Sequence, residues 1–134
     1  MFMRSIERPT AEVRTVSVTS AGFSGVTGEL HVDVMNPNNF GVPLSGIDWQ
    51  LSVGGARAVT GTVQLTQTIP ARGVAPVTTT LSIDARDALT VAGVLASGER
   101  SYQIDVKLHF STQVGQLDVD VKHTGELGDR VALF

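Results

Sequence analysis

The chain has 134 residues, ten of them Lys or Arg against thirteen Asp or Glu, for a net charge of -3, and no cysteine. That length suits one domain, and a composition 42% hydrophobic and 17% charged can pack a core, which excludes an acidic disordered chain. The basic residues are scattered, which excludes an electrostatic grip on nucleic acid, and the missing cysteine excludes disulfides, thiolate metal sites, a Cys nucleophile and a lipid-bearing cysteine.

The first residues, "MFMRSIERPT", lack the apolar run of a signal peptide. Residues 1–11 read as a tail; a leader trimmed from it would place the domain outside the cytoplasm, and an intact start would keep it inside. "AEVRTVSV" reads as a strand whose alternation slips near Arg14. The loop "AGFSGVTG" follows, and then "GELHVDVMN" sets Leu30, Val32 and Val34 against Glu29, His31 and Asp33. A period of two marks a half-buried strand.

The alternation stops at "NPNNFGVPLSG". Pro37 has no amide hydrogen for a ladder, and Asn36, Asn38 and Asn39 suit turns because their side chains bond nearby backbone. These residue types predict a corner between sheets. "GIDWQLSV" resumes with Ile47, Trp49, Leu51 and Val53 on one face, Trp49 being the expected core anchor. Gly54 and Gly55 suit a tight hairpin, since both accept positive φ.

"ARAVTGTVQLTQT" puts Val59, Val63 and Leu65 on one face, and "IPARG" breaks the pattern. "VAPVTTTLSI" restores it with Val77, Thr79, Leu81 and Ile83. "DARDALTVAGVLASG" changes period: Ala85, Ala88, Leu89, Ala92 and Leu95 fall at helical spacing. Asp84 can cap the amino end and Gly98 can end the helix, with the apolar stripe expected on the sandwich. "SYQIDVKLHF" and "QLDVDVKH" are the last strands, inward at Tyr102, Ile104, Val106, Leu108, Phe110, Leu117, Val119 and Val121. Residues 128–134 read as a tail. About seven strands with turns between them predict an all-β fold, a two-sheet antiparallel sandwich of immunoglobulin or fibronectin type III kind with one helix.

The order of certain residues resembles a known family. Asn36, Pro37 and Asn38, then Pro43 with Ile47, Gly54 with Gly55, Gly61, Ile69, Pro70 and Ala71 with Gly73, and Gly125 with Glu126 stand as in the LEA type 2 family. This is the folded branch of the late embryogenesis abundant proteins, also called the water stress and hypersensitive response (WHy) domain. The resemblance runs from Glu12 to Leu127 and makes residues 12–127 the domain. It implies a sandwich with one helix, and a role in desiccation, cold or osmotic stress by protecting other proteins. It implies structural roles at the corner and turns (Asn36, Pro37, Asn38, Gly54, Gly55, Ile69, Pro70 and Gly73), and it carries no catalytic residue.

A direct search for chemistry agrees. Ser24 in "GFSGV" has Val26 where a nucleophile elbow needs glycine. His31, His109 and His123 are dispersed without metal-ligand spacing, so neither a metal nor a cofactor is expected. Asp118 and Asp120 read as a solvated strand face, and Thr78, Thr79 and Thr80 as strand propensity. No apolar run approaches the roughly 18 residues of a membrane span. The expected function is non-enzymatic: a monomer making weak, non-specific contacts with client proteins. The alternative is a module holding a lipid or small apolar ligand in a cavity lined by Trp49, Leu51, Ile104 and Leu108. A third reading is a spacer or adhesion domain with one tight partner.

Overall fold

A computed structural model describes residues 6–22, 25–54, 59–98 and 101–126. Ser24 and Gly55 lie outside the described residues. Each alternating stretch is a strand: β1 (Thr10–Gly22), β2 (Gly25–Met35), β3 (Val42–Val53), β4 (Val59–Ile69), β5 (Val74–Asp84), β6 (Ser101–Thr112) and β7 (Gly115–Glu126). The helix α1 (Ala85–Ala96) joins β5 to β6. The strands form two antiparallel sheets, β1-β2-β5 and β4-β3-β6-β7. The fold is an all-β sandwich with one helix.

The core sits between the sheets and follows the predicted parity. Leu30, Val32, Val34, Val77 and Leu81 of the smaller sheet join Ile47, Trp49, Ile104, Val106, Leu108 and Phe110 of the larger in one buried cluster. At roughly 25 cal/mol per Å² of apolar surface removed from water, this cluster is the main force holding the sheets together.

Two local irregularities have residue-level causes. The slip near Arg14 is a β-bulge: Val13 pairs with Val32 and Thr15 with His31, so Arg14 is the extra residue. Its guanidinium reaches Asp33 at 3.5 Å across the ladder. Within β4, position 61 is glycine because Trp49, its partner in the ladder, lies over it. A Cβ there would stand 2.5 Å from Cε2 and Cζ2 of the indole.

The helix begins as expected, with the Asp87 N–H donating to Asp84 Oδ1 at 3.0 Å, and Gly98 follows its end with φ +92°. Of its predicted apolar stripe, three side chains are described. Ala88 is buried, whereas Ala85 is exposed and Leu89 is 75% exposed. The helix packs along β2 and β5. The side chains of Ala92 and Leu95 lie outside the described set.

Candidate functional site

The "NPN" corner is where sequence-distant residues converge. Asn36 is fully buried and Asn38 nearly so. The Asn36 side-chain amide donates from Nδ2 to the carbonyls of Phe40 (2.8 Å), Ile69 (3.1 Å) and Pro70 (3.2 Å). Its Oδ1 accepts from the Asn38 N–H and from Asn38 Nδ2, each at 3.0 Å. Its own N–H donates to the Gly73 carbonyl, and the Arg72 N–H donates to the Asn38 carbonyl. The Asn38 amide then pairs with the backbone of Glu7, accepting from its N–H at 2.8 Å and donating to its carbonyl at 2.9 Å.

One buried amide thus fastens the β2–β3 loop to the β4–β5 loop, and a second ties the amino-terminal segment to both. Buried carbonyls left without donors are costly, so these loops need such a group. Asn36, Asn38, Ile69, Pro70 and Gly73 come together here. Pro37 separates the two asparagines, and Gly54, with φ +57°, turns the chain at the opposite end of β3.

A second constellation lies on the outer face of the larger sheet. Antiparallel register brings Asp48 of β3 beside His109 of β6, and His109 opposite Asp118 of β7. His109 Nε2 lies 2.8 Å from Asp48 Oδ2, and its Nδ1 lies 2.8 Å from Asp118 Oδ1. Thr62 donates to Asp48 Oδ1 at 2.8 Å, and Gln116 Nε2 donates to Asp118 Oδ1 at 3.0 Å.

The Asp118 bond first, and the Asp48 bond second, raise the His109 pKa above the ordinary histidine value. The His109 bond is likewise the largest cause lowering both aspartates. Two carboxylates thus bracket the ring and favour its protonated form.

This corrects the reading of Asp118 as merely a solvated carboxylate. Asp120 does point to solvent, with Lys107 at 4.0 Å. The three residues sit on the polar parity of their strands, but the pairing of β3 with β6 spans 61 positions, and no local pattern encodes it. Both ring nitrogens are engaged, Nε2 by Asp48 and Nδ1 by Asp118, with Gln116 Nε2 also 3.0 Å from Nδ1. The nearby Ser45 hydroxyl donates to the His109 carbonyl at 3.1 Å. Among the described residues no cluster of His, Asp and Glu has metal-ligand geometry.

Beside the trio the same face forms a shallow trough of about 650 Å³, edged by Asp48, Gln50, Thr60, Thr62, Asp105 and Lys107. The interior is different. Ile104 and Leu108 have no exposed surface at all, and Trp49 and Leu51 are buried. A cavity able to hold an acyl chain would expose the side chains lining it, so the expected lipid space between the sheets is filled at these residues.

The late embryogenesis abundant protein model, LEA_2, matches residues 31–125. The chain belongs to the LEA_2 family. Solved structures agree on the fold. The LEA_2 chain is similar to an Arabidopsis thaliana protein at 17% identity and TM-score 0.73, covering 97% of this chain and 89% of that one. It is similar to a late embryogenesis abundant protein at 21% identity and TM-score 0.67, covering 90% and 70%. An Archaeoglobus fulgidus protein matches at 13% identity and TM-score 0.65, covering 95% and 99%. A search of curated proteins returns no match. The matched region contains both the Asn36 corner and the His109 trio, and its membership gives the chain a stress-related role of the LEA type.

Proposed function

We propose that this LEA_2 chain is a non-enzymatic protectant that shields client proteins from denaturation and aggregation during desiccation, freezing or osmotic stress. The observation that carries the reading is the contrast between a filled interior and an exterior of hydrogen-bonding side chains. Leu44, Ile47, Ile104, Leu108 and Phe110 have no exposed surface. The outer trough presents Thr, Gln, Asp and Lys groups with both signs of charge interleaved. Such a surface forms weak contacts with many partners and strong contacts with few.

Drying and freezing concentrate partly unfolded proteins, whose exposed apolar surface drives association. Weak binding to the unfolded form lowers its free population by mass action, and a stable folded domain between clients separates them sterically. The test is survival of a cold-labile enzyme through freeze–thaw cycles with this protein, against an equal mass of albumin. Survival above the albumin control is expected; equal survival overturns the reading.

A further inference from the structure

The two central strands of the larger sheet separate at one end. Strand β3 stays paired with β4 as far as Val42, and β6 with β7 as far as Thr112, but β3 and β6 pair only as far as Leu44 and Phe110. The cause lies in the residue types. Thr112 and Gly115 close a two-residue hairpin, so Thr112 turns its N–H and C=O to β7. Ser111, next in parity, turns its own to β3. Continuing the register sets Pro43 opposite Ser111, and proline has no N–H to donate. The Ser111 carbonyl therefore lacks the ladder donor that any other residue type at position 43 would give it.

A cleft of about 370 Å³ opens at this separation. Its walls include the buried Val42, the half-buried Ile6 and Phe40, and Val114, which is 74% exposed beside the hairpin turn. Pro43 and Ser111 line it together. Among the described residues, none that lines it is charged. The trough on the outer face is the contrasting case. There Lys107 lies 4.0 Å from Asp120 and Lys122 lies 3.9 Å from Asp105, so its charges already answer one another.

An apolar hollow of roughly 300–1,000 Å³ with a few placed polar groups is the form of a small-molecule site. Nine described residues line this one. A stable protein partner takes about 20–30 residues on each side, so the cleft is too small to seat a second copy or a polypeptide.

We propose that this cleft binds a small uncharged molecule with a ring-sized apolar body and one hydroxyl, the hydroxyl donating to the Ser111 carbonyl. The apolar body removes Ile6, Phe40 and Val114 from water. The hydroxyl supplies the donor that Pro43 withholds. A charged molecule is disfavoured, because no described lining residue offsets the loss of its hydration. The site goes beyond the protectant reading and does not depend on it.

The probe is para-cresol, titrated into the isotope-labelled full chain at neutral pH and followed by backbone amide resonances. Saturable shifts are expected at Gly41, Val42 and Ser111–Val114, with β2 and β5 unmoved. Toluene, the same body without the hydroxyl, should shift the same amides and bind about tenfold more weakly, the worth of one hydrogen bond. The anion para-hydroxybenzoate should bind more weakly still. Shifts that do not saturate, shifts spread over the whole chain, or equal binding of the anion overturn the proposal. Shifts of these amides that follow the protein's own concentration without a probe also overturn it, in favour of a second copy.

Pro43 is exposed, and Pro43→Ala gives position 43 an N–H for the Ser111 carbonyl. This variant should bind para-cresol about tenfold more weakly, at the level of toluene, and toluene as before. Equal weakening of both probes, or of neither, overturns the assignment of the hydroxyl to Ser111. Val114→Asp puts a carboxylate at the cleft from an exposed position, so it tests the site without disturbing the core. It should weaken both probes by about tenfold or more. Unchanged binding of both overturns the site.

Discussion

Asn36 has no exposed surface and satisfies three carbonyls and one N–H from two loops. Asn36→Ala strips those partners in a place water does not reach. Each stranded group costs about 1–3 kcal/mol, so a loss of about 3 kcal/mol is expected in chemical denaturation. Asn36→Asp is the sharper variant. It keeps the acceptor but aims a carboxylate at three carbonyl oxygens, so its melting temperature should fall as pH rises above the carboxylate range. A variant whose stability ignores pH would show that the donors of Nδ2 are dispensable. Gly61 is the second residue with one steric reason. Gly61→Ala puts a Cβ against a rigid indole, and overpacking of this kind costs about 1–3 kcal/mol. Trp49→Leu in the same chain should cost less than the two changes summed, because the clash is shared. Strict additivity in urea melts would show that the indole moves aside.

At the scale of elements, legibility follows range. Alternation placed β2, β3, β5 and β6 because each side chain's face is a local property with period two. The residue types of "NPN" and "IPARG" marked turns for the same reason. Even the Arg14 bulge was visible as a slipped parity. Pairing between strands is not local. Nothing near His109 announces that Asp48 will lie beside it, so the trio emerged only with the sheet order. The helix was legible in its period and cap, but spacing alone did not say that Ala85 and Leu89 would be exposed while Ala88 is buried.

The trio spans three strands and titrates with a definite sign. His109 has a raised pKa, so its contribution is full below the unfolded value of about 6.5 and is lost as pH rises through the folded one. Asp48 and Asp118 have lowered values, so theirs is present above about 3.9 and lost as pH falls through the folded ones. The window between is where the brace holds β3, β6 and β7. His109→Asn should therefore lower the melting temperature most near about pH 5–6 and least above about pH 8. A difference that stays constant across this range would mean that His109 acts by packing and not by charge.

At the scale of the whole molecule, a protectant and a lipid carrier place opposite demands on the interior. A carrier needs space that a ligand fills, and enlarging a lining residue then blocks the ligand without straining the fold. A protectant needs only a stable body. Leu108 has no exposed surface and lies within the single core cluster. Leu108→Phe must therefore displace packed neighbours, at about 1–3 kcal/mol. Against a domain stability of about 5–15 kcal/mol, the folded fraction at low temperature hardly changes. The expected outcome is a lower melting temperature, unaltered freeze–thaw protection per folded molecule, and no lipid in the mass spectrum of either protein. Protection should fail only on warming, at the temperature where the variant unfolds. Lipid retained by the parent and lost from a variant of unchanged melting temperature, together with lost protection, would make the interior the functional site and the surface incidental.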